Sequence, residues 1–283
     1  MRTGERRGGD RGAREGTPDA VDARPADGAT RGPAGPWGTH EVPPGDGLTL
    51  AVGPLALRVR RVDEELRVLV RHERDPAEAA DTGWTRWAAA DVDRVTLSPL
   101  FPDRTLVVEP EDPFWLLDGA EARIYLRVPV WLHLEGVGRE RHDLLRVPTM
   151  DASDTWWGTP EEGELCYWLP TRARRSVGPE HVEPHLVLCP LQLVNRSGDS
   201  LHVEKIALRA AYLSLYRSGA ALWSDATRVL YTGEAEGSRL EMAGRPPREA
   251  EDPELLAPPA ELMARGFRAR TFRRFRSFTG LFG

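Results

Sequence analysis

The chain has 283 residues, 40 % of them hydrophobic, and a formal net charge of −6 whose basic side is almost entirely arginine, Lys205 being the only lysine. That length suits one large or two ordinary domains, and no stretch approaches the roughly 18 apolar residues that a membrane-spanning helix needs. The segment Met1 to Gly9 has no apolar core of the secretory kind, and Cys166 and Cys189 are too few for a disulfide framework, so a reducing, cytoplasmic setting is expected.

Residues 1–39 are expected to be a disordered arm, because Val21 is the only large aliphatic side chain after Met1 before Trp37. Acidic residues balance the arginines of this arm, which argues against nucleic acid as a partner. From Leu48 the hydrophobic period becomes two, the spacing of alternate strand faces. Leu55, Leu57 and Val59 alternate with Arg58 and Arg60, and Leu66, Val68 and Val70 with Arg67 and Arg71, which predicts a hairpin. The longest alternation runs Ile124, Leu126, Val128, Val130, Leu132 and Leu134. Pro129 inside it has no amide to donate, which points to an edge strand or a bulge.

Further short strands are expected at Leu186 to Val194, Leu201 to Leu208, Tyr212 to Tyr216, Ala221 to Trp223, Arg228 to Tyr231 and Ser238 to Met242. The fold class is therefore mainly β, as antiparallel β-sandwich units, two in number: 40–147 and 148–243, dividing near Pro148. Residues 244–260, rich in Pro and acidic side chains, read as a linker. Residues 261–283 hold six Arg against Glu261, a local +5 that leaves −11 on the rest of the chain.

Wound as a helix at about 100° per residue, this tail gathers Phe267, Phe275, Phe278 and Phe282 within about 80° of one another. Arg265, Arg270, Arg273 and Arg276 fall mostly on the other side, while Arg268 and Arg274 intrude on the apolar face. A helical tail of this kind suits peripheral contact with the inner face of a membrane or with a partner, and docking on the acidic body is the competing use.

Several groupings invite a chemical reading. His181, His185 and Cys189 have ligand-like spacing, but on an extended segment four residues span roughly 13 Å, too far for one zinc. His133 and His142 with Glu135 and Asp143 read as solvated turn residues, and Cys166 has no activating motif around it. Neither a metal nor another cofactor is expected. Glu161, Glu162 and Glu164 lie close in sequence to Trp156, Trp157, Tyr167 and Trp168, and stacking aromatics beside paired carboxylates are what a glycosidase needs. Burial of those Trp side chains in a core is the plainer reading.

The stretches Leu144 to Met150, Ser153 to Gly158 and Glu162 to Trp168 are the most distinctive in the chain. They resemble family 432 of the domains of unknown function, and the resemblance extends through Tyr125 to Trp131, Leu191 to Ser197 and Ala211 to Tyr216, covering roughly Leu48 to Met242. It implies a Gly turn leading into a strand that bears Cys166 and an aromatic residue. It supplies no catalytic residue, and it implies a membrane-protein partner such as a mechanosensitive channel, beside which some members are encoded. The expected function is a non-catalytic interaction module contacting a protein partner or a membrane surface through Trp156, Trp157, Glu164, Tyr167 and Trp168 or through the tail. The alternative is a carbohydrate-active or other hydrolytic enzyme centred on Trp156 to Trp168.

Overall fold

The computed structural model describes residues 35–45, 47–75, 83–89, 91–233, 238–262, 268–269 and 271–272. Most of the expected arm lies outside them, yet the body begins before residue 40. Trp37 is buried and its indole donates to the Pro184 carbonyl at 3.0 Å. Strand β1 (Gly38–Glu41) follows at once.

The fold is mainly antiparallel β, as the alternation predicts. Strands β2 (Leu48–Val52), β3 (Leu55–Val62), β4 (Glu65–His72) and β5 (Thr85–Ala88) form a meander in sequential order. Leu55, Leu57, Val59, Leu66 and Val68 all turn inward and are buried. Next come β6 (Arg94–Leu100), β7 (Thr105–Pro110), β8 (Phe114–Leu116), β9 (Glu121–Pro129), β10 (Trp131–Val137) and β11 (Arg141–Pro148). A second sheet has the order β1-β6-β10-β11, antiparallel throughout.

The longest alternation serves two sheets. Pro129 ends β9, which pairs with β14 (Leu186–Asn195), whereas β10 starts two residues later in the β6 sheet. At the crossing the Val130 carbonyl accepts from both the amide and the hydroxyl of Thr149, at 3.1 and 2.6 Å, and the Val130 amide donates to the His185 carbonyl. Ile124, Leu126, Val128, Val130, Leu132 and Leu134 stay buried on both sides of the break, so the core face continues although the sheet does not.

After Pro148 come β12 (Ser153–Trp157), β13 (Glu164–Ala173), β14, β15 (Leu201–Val203), β16 (Ile206–Arg209), β17 (Leu215–Ser218), β18 (Ala221–Ser224), β19 (Thr227–Tyr231), β20 (Ser238–Met242), β21 (Glu254–Ala257) and β22 (Arg268–Ala269). Strands from both sides of Pro148 share sheets: β12-β13-β7-β16 is one, and β9 joins β14 in the largest, which runs β21-β17-β18-β14-β19-β20-β22. A single buried cluster reaches from Trp37 to Leu240. Among the described residues, pairing is parallel only where β13 meets β7 and where β14 meets β18 and β19.

Beside β14, three steps from Leu188 to Leu191 match four from Trp223 to Thr227, a one-residue bulge. Pro190 lies opposite it and has no amide to leave unpaired. The bulge turns Asp225 inward, where its carboxylate accepts from the Ser214 amide at 2.6 Å and the Tyr216 hydroxyl at 3.1 Å.

Residues 244–260 lie along the body. Ser218 donates to the Glu251 carbonyl at 2.6 Å, Arg217 to Glu254 at 3.2 Å, and β21 pairs with β17. The expected helical tail is corrected where the chain is described. Arg268–Ala269 is a strand paired with Ser238 and Arg239, the Thr271 carbonyl accepts from the Ala207 amide on β16 at 2.9 Å, and Phe272 meets Tyr231 edge-on at 5.7 Å. Two sheet edges with open backbone groups outweigh a helix that Gly266 weakens. Among the described residues, no helix is long and apolar enough to cross a membrane.

Candidate interaction surface

Strands β12 and β13 form an antiparallel ribbon at one edge of the β7 sheet, with Trp157 opposite Glu164, Trp156 opposite Leu165, Asp154 opposite Tyr167 and Ser153 opposite Trp168. Successive side chains on a strand point to opposite faces. The five residues expected to form one site are therefore divided between two.

On one face Trp157 is buried with Val107, Cys166 and Ala207, and Trp168 packs against the same group. Lys205 Nζ stands 4.2 Å from the Trp168 ring centre, covering it as a cation over a π face. Glu164 accepts from the Thr105 hydroxyl at 2.9 Å and lies 3.7 Å from Arg209, whose guanidinium donates twice to Glu261 at 2.9 and 2.8 Å. Burial, reinforced by Glu164, pushes the Cys166 thiol up to about 11, which favours the protonated thiol at neutral pH. These residues hold the sheet together.

The other face is open. Trp156 is 49 % exposed and its cross-strand neighbour Leu165 is 44 % exposed. The turn between the strands fixes the indole: Trp156 Nε1 donates to the Thr159 carbonyl at 3.0 Å, and Thr159 in turn accepts the Glu162 amide at 3.1 Å. A Cβ at Gly163 would collide with Trp156 Nε1, so glycine there lets the turn close against the indole edge. Alongside, the Arg104 guanidinium lies 4.9 Å from the Tyr167 ring centre and bonds Asp154 at 3.1 Å, while Trp131 of β10 tilts towards Tyr167 with 6.5 Å between ring centres. Burial, with Asp103 beside it, holds the Tyr167 phenol above its ordinary range. The result is a strip of Trp131, Tyr167, Leu165 and Trp156 flanked by charge. Arg104 and Trp131 were invisible as site residues because the sheet neighbours that bring them here are distant in sequence.

The carboxylates of the segment are not gathered in one cleft: Glu161 and Glu162 stand in the exposed turn, and Glu164 is engaged on the far face. His181, His185 and Cys189 also have separate surroundings. Arg174 donates to His181 Nε2, His185 is wedged beneath Gly53, and Cys189 is sealed within β14 with its thiol pushed up to about 12 by burial. His133 bonds Asp143 at 3.0 Å in a surface row that continues to Arg146. No group of three or more metal-ligating side chains converges among the described residues. A pocket of about 270 Å³ sits at the β14 bulge, under an in-register row of Arg123, Gln192, Arg228 and Glu241. Its arginines face Glu249 at 2.6 Å and Glu241 at 3.6 Å, so the charges there are already matched. Arg265, Phe267, Arg270, Arg273, Phe275, Arg276, Phe278 and Phe282 lie outside the described residues.

An all-β body with one preformed aromatic strip is the class this geometry defines. The chain belongs to the family described as "Protein of unknown function (DUF432)", whose model matches residues 36–276. That span takes in both Trp37 and the β22 segment, beyond the limits expected from the distinctive stretches alone. No curated protein and no solved structure matches the chain.

Proposed function

We propose that the protein is a non-catalytic interaction module that docks a protein partner on the strip formed by Trp156, Leu165 and Tyr167. The observation that carries this reading is the exposed in-register pair of Trp156 and Leu165, with the indole held by the Thr159 turn. A large aromatic fixed before binding loses little rotamer entropy on contact, and such side chains dominate interface energies. The polar rim of Arg104, Asp154 and Asp103 supplies orientation more than affinity. Glu164, the carboxylate on β13, is engaged on the opposite face with Thr105 and Arg209.

The test is affinity purification of the full chain from its own cells with the membrane fraction retained, comparing the wild type with a Trp156→Ala/Leu165→Ala variant that melts at the same temperature. Proteins held by the wild type and released by the variant support the reading. Identical sets from both would remove it.

A further inference from the structure

We infer that the outer face of the β2–β5 meander is a docking surface for an extended acidic segment of a protein partner. This sheet is separate from the one that carries Trp156 and Leu165, so the inference goes beyond the reading of that strip. Leu57, Val59, Leu66 and Val68 are buried on the inner side of the meander, and alternation turns Arg58, Arg60, Arg67 and Arg86 to the other side. There Arg60 stands opposite Arg67, and Arg67 opposite Arg86, a row of three like charges across three neighbouring strands. Like charges placed directly opposite one another on a sheet repel. On the same side Glu65 bonds Arg67 at 2.9 Å, and Arg60 lies over the Trp84 ring at 5.1 Å. Among the described residues, no ion pair engages Arg58, Arg60 or Arg86, all three exposed. A face that only meets water has no need of one sign: on β10 and β11, Arg141 stands with Glu135 and Arg146 with Asp143. The chain carries a net charge of −6, so the meander face reverses the sign of the whole, and an anion laid along the row relieves its repulsion.

The spacing selects the occupant. Arg58 and Arg60 are two residues apart on β3, about 6.8 Å, which is also the distance between alternate residues of any extended chain. Acidic residues at every second position of such a segment come into step with these arginines, and the fork of a guanidinium takes both oxygens of a carboxylate. Arg67 and Arg86 extend the contact across the strands by about 4.8 Å each. The Trp84 ring is half-buried with Arg60 over it, so it is not an open platform for stacking the bases of a single-stranded nucleic acid. The exposed large hydrophobic side chains among the described residues, Trp115, Leu117, Trp156, Leu165, Leu255 and Leu262, all lie elsewhere, so this face has none of them to insert between lipid headgroups.

The probe is an end-blocked ten-residue peptide of alternating Glu and Ser with an uncharged fluorophore, followed by anisotropy with the full chain at low salt. It should bind saturably, and the counterpart with Gln in place of Glu should not. Arg58→Gln/Arg86→Gln removes two charges but no ion pair among the described residues, so it should melt no lower than the wild type while binding the acidic peptide about three- to tenfold more weakly. Arg141→Gln/Arg146→Gln takes the same charge from β11 and should bind as the wild type does. Arg86→Gln alone, on the edge strand, repeats the comparison should the double variant melt lower, and should still weaken binding about twofold or more. Equal affinity of the wild type and the meander variants would assign the probe to arginines elsewhere and overturn the inference, as would the absence of saturable binding. A six-nucleotide oligothymidylate, with the same five charges, or anionic vesicles might be substituted for the peptide: tighter binding of either, lost in Arg58→Gln/Arg86→Gln, would overturn the acidic segment as occupant in favour of nucleic acid or lipid.

Discussion

Trp156 and Trp157 are neighbours in sequence on opposite faces of β12, the first 49 % exposed and the second 6 %. Their substitutions should therefore separate binding from folding. Trp157→Ala removes the ring packed on Val107, Cys166 and Ala207, and should destabilise the protein by about 3 to 5 kcal/mol. Trp156→Ala forfeits one indole hydrogen bond to the Thr159 carbonyl, worth about 1 kcal/mol, while removing the docking anchor. Denaturant melts of both variants beside the capture assay check this. A Trp156→Ala variant as unstable as Trp157→Ala would assign both residues to the core.

The strands were legible because a period of two survives in the sequence wherever one face is buried. The same property hid the sheet change at Val130: Val128 and Leu132 are both core residues, and nothing in their spacing records that one faces β14 and the other β6. Alternation alone separates Trp156 from Trp157, so the sequence itself sorts half of the candidate site by face. It does not reach Arg104 and Trp131, since their approach to Tyr167 depends on which sheets lie side by side. The β22 segment escaped for another reason. Two paired residues carry no period, and what holds them is the open edges of β16 and β20, features of the assembled fold.

Asp225 is the inward product of the β14 bulge, and its two hydrogen bonds tie Ser214 and Tyr216 to it. Asp225→Ala leaves the buried Ser214 amide without its acceptor, at a cost of about 1 to 3 kcal/mol. Asp225→Asn keeps the shape but offers an amide where the second acceptor was, so it should lie between the wild type and Asp225→Ala. Urea melts with unchanged slope would read this order. Equal stability of all three would show that the bulge holds without its carboxylate.

His185 gives the stability a defined pH dependence. The side chain is buried under the Gly53 turn, its Nδ1 has no hydrogen-bond partner, and burial lowers its pKa below the ordinary 6.5, with Glu183 opposing and Arg127 adding to the effect. The folded state thus takes up the proton less readily than the unfolded one. Stability from this group is full above about pH 6.5 and is lost as pH falls, by up to about 1.4 kcal/mol per pH unit until the folded pKa is reached. His72 is lowered by burial as well, so a variant is needed to isolate the contribution. Melting curves of the wild type and His185→Gln between pH 7.5 and pH 5 should converge as the pH falls. Parallel curves would show that His185 does not titrate against folding.

Glu261, Arg268, Ala269, Thr271 and Phe272 are predicted to be structural and residues 273–283 dispensable for stability. A chain ending at Pro259 loses the β22 pairing, the Thr271 acceptor of the buried Ala207 amide, the Phe272 contact with Tyr231 and both Arg209 bonds to Glu261. Leaving one buried amide unpaired costs about 1 to 3 kcal/mol, and the lost aromatic and apolar contact adds about 1 to 2 kcal/mol. At roughly 2 to 4 °C per kcal/mol for a protein of this size, the melting temperature should fall by about 5 to 15 °C. A chain ending at Phe272 keeps all of these contacts and should melt with the full protein. The cut at Phe272 is therefore the one that tests the arginines and phenylalanines of the tail, since the cut at Pro259 confounds them with unfolding. In co-sedimentation with anionic vesicles, equal pelleting of the full chain and the chain ending at Phe272 would remove the membrane-contact reading of the tail, whereas pelleting of the full chain alone would assign the tail to the membrane surface.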